Sequence, residues 1–175
     1  LLIGFWKHLA EGRQGARMAL AVTGMGGLAM IAGMLILGHI AGSYDISEIL
    51  KHRTEIQASP LFLPAMLLIL TGAFAKSAQF PFHFWLPNAM RAPTPASAYL
   101  HSSTMVKAGV YLLARLHPAL GGTEEWTAIL TTIGAITFLL GPIMALGQHV
   151  LKRPLAYATV SLPGALALLA GVGPP

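Results

Sequence analysis

The chain has 175 residues, 55% of them hydrophobic and only 10% charged, and a net charge of +5 from 11 Lys and Arg against 6 Asp and Glu. A soluble domain carries roughly 25% charged residues, so the composition describes an integral membrane protein with several spans. The basic residues stand singly between apolar runs, which argues against a nucleic-acid-binding protein, and with no Cys there is no disulfide framework, iron–sulfur site or thiolate zinc site.

A span takes about 20 predominantly apolar residues. Residues 1–6 read as the end of one helix, and residues 7–17 as a polar loop with Lys7, His8, Glu11, Arg13 and Arg17. Residues 18–40 form a clean, glycine-rich span. In it Gly24, Gly26 and Gly27 fit close helix packing better than a phosphate loop, because no strand precedes them. Residues 41–59 form a second polar loop. Residues 60–90 form a third membrane segment, interrupted near residues 79–81, and a tight turn follows at 91–95. A fourth span over 95–116 opens on Pro95, where a missing backbone donor is harmless. Residues 117–125 read as a loop, 126–146 as a fifth span bent at Pro142, 148–153 as a basic turn, and 154–172 as a sixth segment interrupted at Pro163.

The expectation is an all-α transmembrane helical bundle with about six membrane segments, a single domain over residues 1–175. The chain opens on Leu1 without a basic leader and its last apolar run stops at Gly173-Pro174-Pro175, as expected of an internal piece of a longer polytopic protein. Loops after the first, third and fifth segments hold Lys7, Arg13, Arg17, Arg91, Lys152 and Arg153; those on the other side hold Lys51, Arg53 and Arg115. That bias puts the first set in the cytoplasm. Trp6, Trp85 and Trp126 fall near span ends or a break, where interfacial anchors sit. Glu124 and Glu125 open the fifth span, where the helix dipole favours them.

Three ionisable residues fall inside expected spans: Lys76, His101 and Lys107. His39 and His83 lie closer to span ends or the break. A charge at the bilayer centre costs about 3 kcal/mol or more, so a membrane protein keeps one on an ion path or beside a buried partner. The alternative for either lysine is a side chain that snorkels to the interface; the alternative for His101 is a satisfied polar contact between helices. Desolvation disfavours a charged amine, so a buried lysine can load and release a proton as another charge approaches or leaves. His101 and Lys107 are about 120° apart on an ideal helix. Thr104 lies between them, and local unwinding can bring all three to one channel. A neutral imidazole between lysines makes a hydrated proton relay. Pro81, Pro87, Pro93 and Pro95 frame the region and suggest a discontinuous helix, which frees helix ends for ion contact at membrane depth. Lys152 is a further candidate, against ordinary positive-inside charge. No HExxH, Walker motif or pair of catalytic carboxylates is present, and no metal or cofactor is expected.

The run from Lys76 through Gln79-Phe80-Pro81-Phe82-His83-Phe84-Trp85-Leu86-Pro87-Asn88 resembles the antiporter-like subunits of respiratory complex I and of Mrp-type multisubunit sodium/proton antiporters. The likeness continues through Pro93-Thr94-Pro95 and from Tyr99 to Tyr111, and again at Lys152-Arg153 and Leu155-Ala156-Tyr157. It covers essentially the whole chain and is weakest over residues 45–57. His83-Phe84-Trp85-Leu86-Pro87-Asn88, Val106-Lys107-Ala108-Gly109 and Leu120-Gly121-Gly122-Thr123 are most similar to the large A subunit of Mrp antiporters.

The resemblance implies a core of two inverted repeats, each with a broken helix. Lys76 matches the broken-helix lysine, His101 the connecting histidine of the next helix, and Lys107 a position often held by lysine. A partner glutamate is implied one helix upstream of Leu1, and a second repeat beyond Pro175. Two departures stand out. Where the family usually has an aspartate before the basic pair, His149 or Val150 stands here, and Pro154 and Pro163 occupy ordinary helix positions. The implied function is a secondary transporter, not an enzyme: one component of a multisubunit cation/proton antiporter in a bacterial inner membrane. Its partners would be protons, a monovalent cation such as sodium, other antiporter subunits and lipid. The alternative is a proton-pumping membrane subunit of complex I.

Overall fold

The computed structural model describes residues 8–89, 106–148 and 152–173, the side chain of Lys152 excepted. Its helices in chain order are α1 (Ala10–Ala41), α2 (Ile46–Ile49), α3 (Arg53–Ala58), α4 (Phe62–Lys76), a 3-10 turn (Phe82–Phe84), α5 (Trp85–Ala89), α6 (Lys107–Leu120), α7 (Glu124–Leu146) and α8 (Lys152–Val172). No strand occurs among the described residues. Three helices, Ala10–Ala41, Glu124–Leu146 and Arg153–Val172, are long and apolar enough to cross a membrane; Phe62–Lys76 is a shorter apolar helix.

α1 and α4 pack together, as do α7 and α8, and α6 lies against both α4 and α8. The first seam depends on missing side chains. A Cβ at Gly33 would stand 2.7 Å from Ile69 Cγ1 and 2.8 Å from the Ala65 carbonyl oxygen. Without lipid-to-helix hydrophobic gain to draw on, such close backbone approach is how membrane helices gain packing energy. Of the cluster at 24–27, Gly26 meets α4, whereas Gly24 and Gly27 face open space. The opposite face of α1 carries exposed Leu20, Met25, Leu28, Ile31 and Leu35, apolar surface suited to lipid or further helices.

Several boundaries differ from the sequence expectation. The polar loop expected at 7–17 is helical from Ala10, so Glu11, Arg13 and Arg17 ride on the first turns of α1. At 32 residues the helix rises about 48 Å, well beyond a hydrocarbon core of about 30 Å, and its charged start stands outside the apolar layer. The loop expected at 41–59 folds α2 and α3. Asp45 caps α2, its carboxylate accepting from the Ser47 N–H at 2.9 Å.

The loop expected at 117–125 shrinks to 121–123, because α6 continues through Pro118 to Leu120. Its last carbonyls are taken by α3: Arg53 Nη2 donates to the Gly121 carbonyl at 3.0 Å, and Gln57 Nε2 to those of Ala119 and Gly121 at 3.2 and 3.0 Å. A cation at a helix C-terminus also answers the dipole. Thr123 caps α7 by accepting from the Trp126 N–H, with Glu124 and Glu125 in the first turn as expected. α8 runs unbroken past Pro163. Pro154 sits in its first turn, where a lost donor is tolerated, and neighbouring groups accommodate an interior proline in a membrane helix. Pro142 likewise lies inside α7.

Trp85 and Trp126 are 1% and 0% exposed, so neither is an interfacial anchor. Each indole N–H has an internal acceptor, Ala75 O at 2.9 Å and His117 Nδ1 at 3.1 Å respectively. A buried indole is retained where its donor is matched. Trp6 lies outside the described residues.

Replacing Arg53 by Ala removes a partly buried, charge-assisted bond to the end of α6. The expected loss is about 1.5–3 kcal/mol, read as a lower thermal midpoint of the purified full-length protein, with a larger loss in the Arg53→Ala, Gln57→Ala double variant.

Candidate functional site

α4 has 15 residues and rises about 22 Å, less than the roughly 30 Å hydrocarbon core. It starts after the polar α2–α3 connection and therefore stops inside the apolar layer. Lys76 is its last residue. It stands at a helix end and is half-buried.

A helix that ends in hydrocarbon must have its free carbonyls met, and the turn after Lys76 meets them. Ser77 donates twice to the Ala73 carbonyl, from its N–H at 2.9 Å and from its hydroxyl at 2.6 Å. The Gln79 N–H donates to the Phe74 carbonyl at 2.9 Å, the long-range bond of a Schellman cap. The Ala75 carbonyl takes the Trp85 indole, which arrives from beyond the break. The left-handed residue that this cap requires is Ala78, with φ 51°, where a Cβ makes the conformation costlier than for glycine.

The turn is then tied sideways to α7 and α8. The Phe80 N–H donates to the Thr137 hydroxyl oxygen at 3.0 Å, and that hydroxyl donates to the Ile133 carbonyl at 2.7 Å. Gln79 Nε2 donates to the Pro163 carbonyl at 3.0 Å. Pro81 stands at the break, after a cis peptide bond from Phe80. Pro87 does not break the chain again, as it lies in the first turn of α5, where proline is at home. Pro93 and Pro95 lie outside the described residues, as do His101 and Thr104.

Lys107 is half-buried at the start of α6. That helix end is held close to the break by Gly109: a Cβ there would collide with the Ala73 carbonyl oxygen and stand 3.1 Å from Ser77 Oγ. The ends of α4 and α6 that carry Lys76 and Lys107 are thus neighbours. No carboxylate pairs with Lys76 among the described residues; the Lys51–Glu48 ion pair and the His52–Glu55 hydrogen bond lie in the polar connection. The side chain of Lys152 is not described; its neighbour Arg153 donates to Gln148 Oε1 at 3.3 Å.

Beyond the break, a cavity of about 200 Å³ is bounded by His83, Asn88, Gln148, Arg153 and Tyr157, among others. His83 Nδ1 is buried and has no hydrogen-bond partner among the described residues. Sequence reasoning did not single out Gln79 or Thr137 as parts of the site. Their signal was weak: one amide and one hydroxyl in apolar runs, with partners 84 and 57 residues away.

A family model described as NADH:quinone oxidoreductase/Mrp antiporter, TM matches residues 1–173. A probable potassium/proton antiporter A/B subunit of Rhizobium meliloti (strain 1021) is 54% identical over 175 residues, 100% of this chain and 18% of the relative. The sodium/proton antiporter A subunit of Alkalihalophilus pseudofirmus is 50% identical over 173 residues, 99% of this chain and 22% of the relative. The chain thus spans about a fifth of the length of these relatives.

Among solved structures, the Mrp complex from Dietzia sp. DQ12-45-1b matches with a TM-score of 0.92 and 43% identity, over 99% of this chain and 19% of that one. An archaeal membrane-bound sulfane sulfur reductase shares the fold, with a TM-score of 0.85 at 22% identity over 98% of this chain and 36% of that one. On the family match and these relatives together, the chain belongs to the NADH:quinone oxidoreductase/Mrp antiporter transmembrane family.

Proposed function

We propose that this chain is part of the A subunit of a multisubunit monovalent cation/proton antiporter in a bacterial inner membrane, and that Lys76 carries the proton. The observation that carries the reading is the position of Lys76: half-buried, at the end of a helix that stops inside the apolar layer, with no carboxylate partner among the described residues. A lysine that stands at such a helix end can respond to a second charge that comes and goes.

The chain supplies the fixed parts of that switch. The cap on α4 holds the lysine backbone in place, and the Gly109 contact brings α6 to it, with Lys107 two residues upstream. His101 and Lys107 then pass the proton laterally, Thr104 bridges them, and Lys152 receives or repels charge at the start of α8. A carboxylate and a second half-channel belong to the rest of the longer protein, and the coupled cation, sodium in this reading, crosses in the assembled complex. Other antiporter subunits are the protein partners, and lipid or further helices cover the apolar outer faces. The names of relatives near 50% identity support antiport. The second reading, a proton-pumping component of an NADH:quinone oxidoreductase, draws on the family description, which covers both.

The test uses the full-length protein with its partner subunits in an antiporter-deficient strain. Everted vesicles are energised and the pH gradient is followed as sodium or potassium is added. Cation-triggered collapse of the gradient is expected, and Lys76→Ala should abolish it with assembly intact. Lys76→Arg should abolish it as well, because guanidinium keeps its proton. Transport by either variant at the wild-type rate would sink the lysine assignment. Gradient formation that instead needs NADH and this protein would favour the second reading.

The close approach of α6 to the break can be probed separately. Gly109→Leu should push α6 away from Ala73 and Ser77, at about 1–3 kcal/mol for overpacking. Transport per assembled complex should fall, while Gly27→Leu, in open space, should retain it. Equal transport by the two variants would show that the approach of α6 to the break is dispensable.

A further inference from the structure

The cavity beyond the break lies where three parts of the chain meet: the 3-10 turn with α5, the end of α7 and the start of α8. Arg153 brings a guanidinium to it, Tyr157 a phenol hydroxyl, and His83, Asn88 and Gln148 further polar groups. No carboxylate is among the described residues that bound it. Its volume is about 200 Å³. A water's share of liquid volume is about 30 Å³, so the space takes a group several times that size.

The hydrogen bonds already made show what the lining still has to offer. Gln148 is committed at both ends: its Nε2 donates to the Met144 carbonyl at 3.4 Å, and its Oε1 accepts from Arg153 Nη1 at 3.3 Å. The guanidinium is thereby braced across the α7–α8 connection, with its remaining N–H groups unspent, and a guanidinium has only donors to give. Asn88 Nδ2 is spent on the Phe84 carbonyl at 2.8 Å and the Met18 sulfur at 3.5 Å. The His83 ring stacks on Phe80, with centroids 6.1 Å apart, and meets Phe84 edge-on at 6.4 Å. Its Nδ1 is enclosed without a partner among the described residues. An N–H there would be an orphaned buried donor, which folded chains avoid more strictly than an unmet lone pair. The ring proton therefore belongs on Nε2, the nitrogen left to meet the cavity. Arg153, Tyr157 and His83 thus bring donors to one space, beside a helix start whose dipole also favours negative charge.

We propose that this cavity binds a phosphate-type oxyanion, either the phosphodiester of an anionic phospholipid or free phosphate, with Arg153 as its charged anchor and Tyr157 and His83 as further donors. A cation is a poor fit, because it would face the guanidinium and find few free acceptors. Arginine suits a phosphate group because its planar fork matches two oxygens at once. The surroundings favour the lipid as the source: Phe84, at the cavity, and Leu155, two residues after Arg153, are 41% and 60% exposed, so acyl chains have apolar surface to lie on. Basic pockets between membrane helices on the cytoplasmic side take anionic headgroups, and the charge bias of the loops puts the start of α8 on that side. The inference does not depend on the role of Lys76.

The test uses the full-length protein with its partner subunits, purified in neutral detergent, stripped of lipid and free of phosphate buffer. Its thermal midpoint is followed as short-chain phosphatidylglycerol, inorganic phosphate or dioctanoylglycerol, which has no phosphate, is added. A saturable rise with a phosphate-bearing probe is expected, and none with dioctanoylglycerol. Arg153→Gln should weaken the apparent affinity about tenfold or more, as loss of a hydrogen bond to a charged group does. Tyr157→Phe keeps the ring and should weaken it about threefold or more. Arg13→Gln, at an exposed arginine of α1 that does not bound the cavity, should leave it unchanged. A rise with phosphatidylglycerol alone assigns the site to a lipid headgroup; a rise with inorganic phosphate that has the same variant pattern assigns it to the free oxyanion.

Absence of any response to both phosphate-bearing probes overturns the proposal. An equal rise with dioctanoylglycerol does so too, since apolar contact would then explain the effect. Equal weakening by Arg13→Gln and Arg153→Gln would reduce the effect to general surface charge and also overturns it. Should Arg153→Gln fail to assemble, Tyr157→Phe decides alone, and unchanged affinity in that variant overturns the site.

Discussion

The end of α4 is a polar object in an apolar place. A helix terminus leaves four carbonyls without intrahelical donors, and hydrocarbon offers no water to meet them. The structure answers with local and borrowed donors: Ser77 on Ala73, the Gln79 backbone on Phe74, and the Trp85 indole on Ala75. Once this cap exists, Lys76 can stand inside the membrane at a fixed place. Without the cap, the last carbonyls of α4 would lie unpaired in hydrocarbon.

The rest of the chain is arranged around that stop. α1 supports α4 from one side through backbone approach at Gly26 and Gly33, and α6 reaches its end only because Gly109 has no side chain. α7 and α8 supply the acceptors that hold the following turn, at Thr137 and Pro163. α3 plays for α6 the part that Trp85 plays for α4, with Arg53 and Gln57 on the terminal carbonyls. Two helix ends, two sets of side-chain donors and a few missing Cβ atoms fix the geometry in which any relay must work.

Much of this was legible in the sequence. Apolar runs separated by single charges pointed to an all-helical membrane protein, and the pairing of Lys76 with Pro81 located the interrupted helix. What the sequence hid was set by distant partners. Pro118 and Pro163 look like stops locally, yet both lie inside continuous helices. Trp85 and Trp126 carry the signature of interfacial anchors, but matched indole donors bury them. Gln79 and Thr137 became members of the site only when the fold brought acceptors and donors from far along the chain. The run at 7–17 looked like a loop because its charges mark the edge of the apolar layer, whereas the helix itself continues past that edge.

The two sideways ties of the break have a mechanical meaning. Phe80 is fastened to α7 and Gln79 to α8, and those two helices are packed along each other. The backbone just beyond Lys76 is therefore coupled to a two-helix strut. Any stroke of the turn must either shed both fastenings at once or carry the strut with it. The position of the backbone just beyond Lys76 is thereby tied to two helices each long enough to cross the membrane, through two hydrogen bonds at adjacent residues.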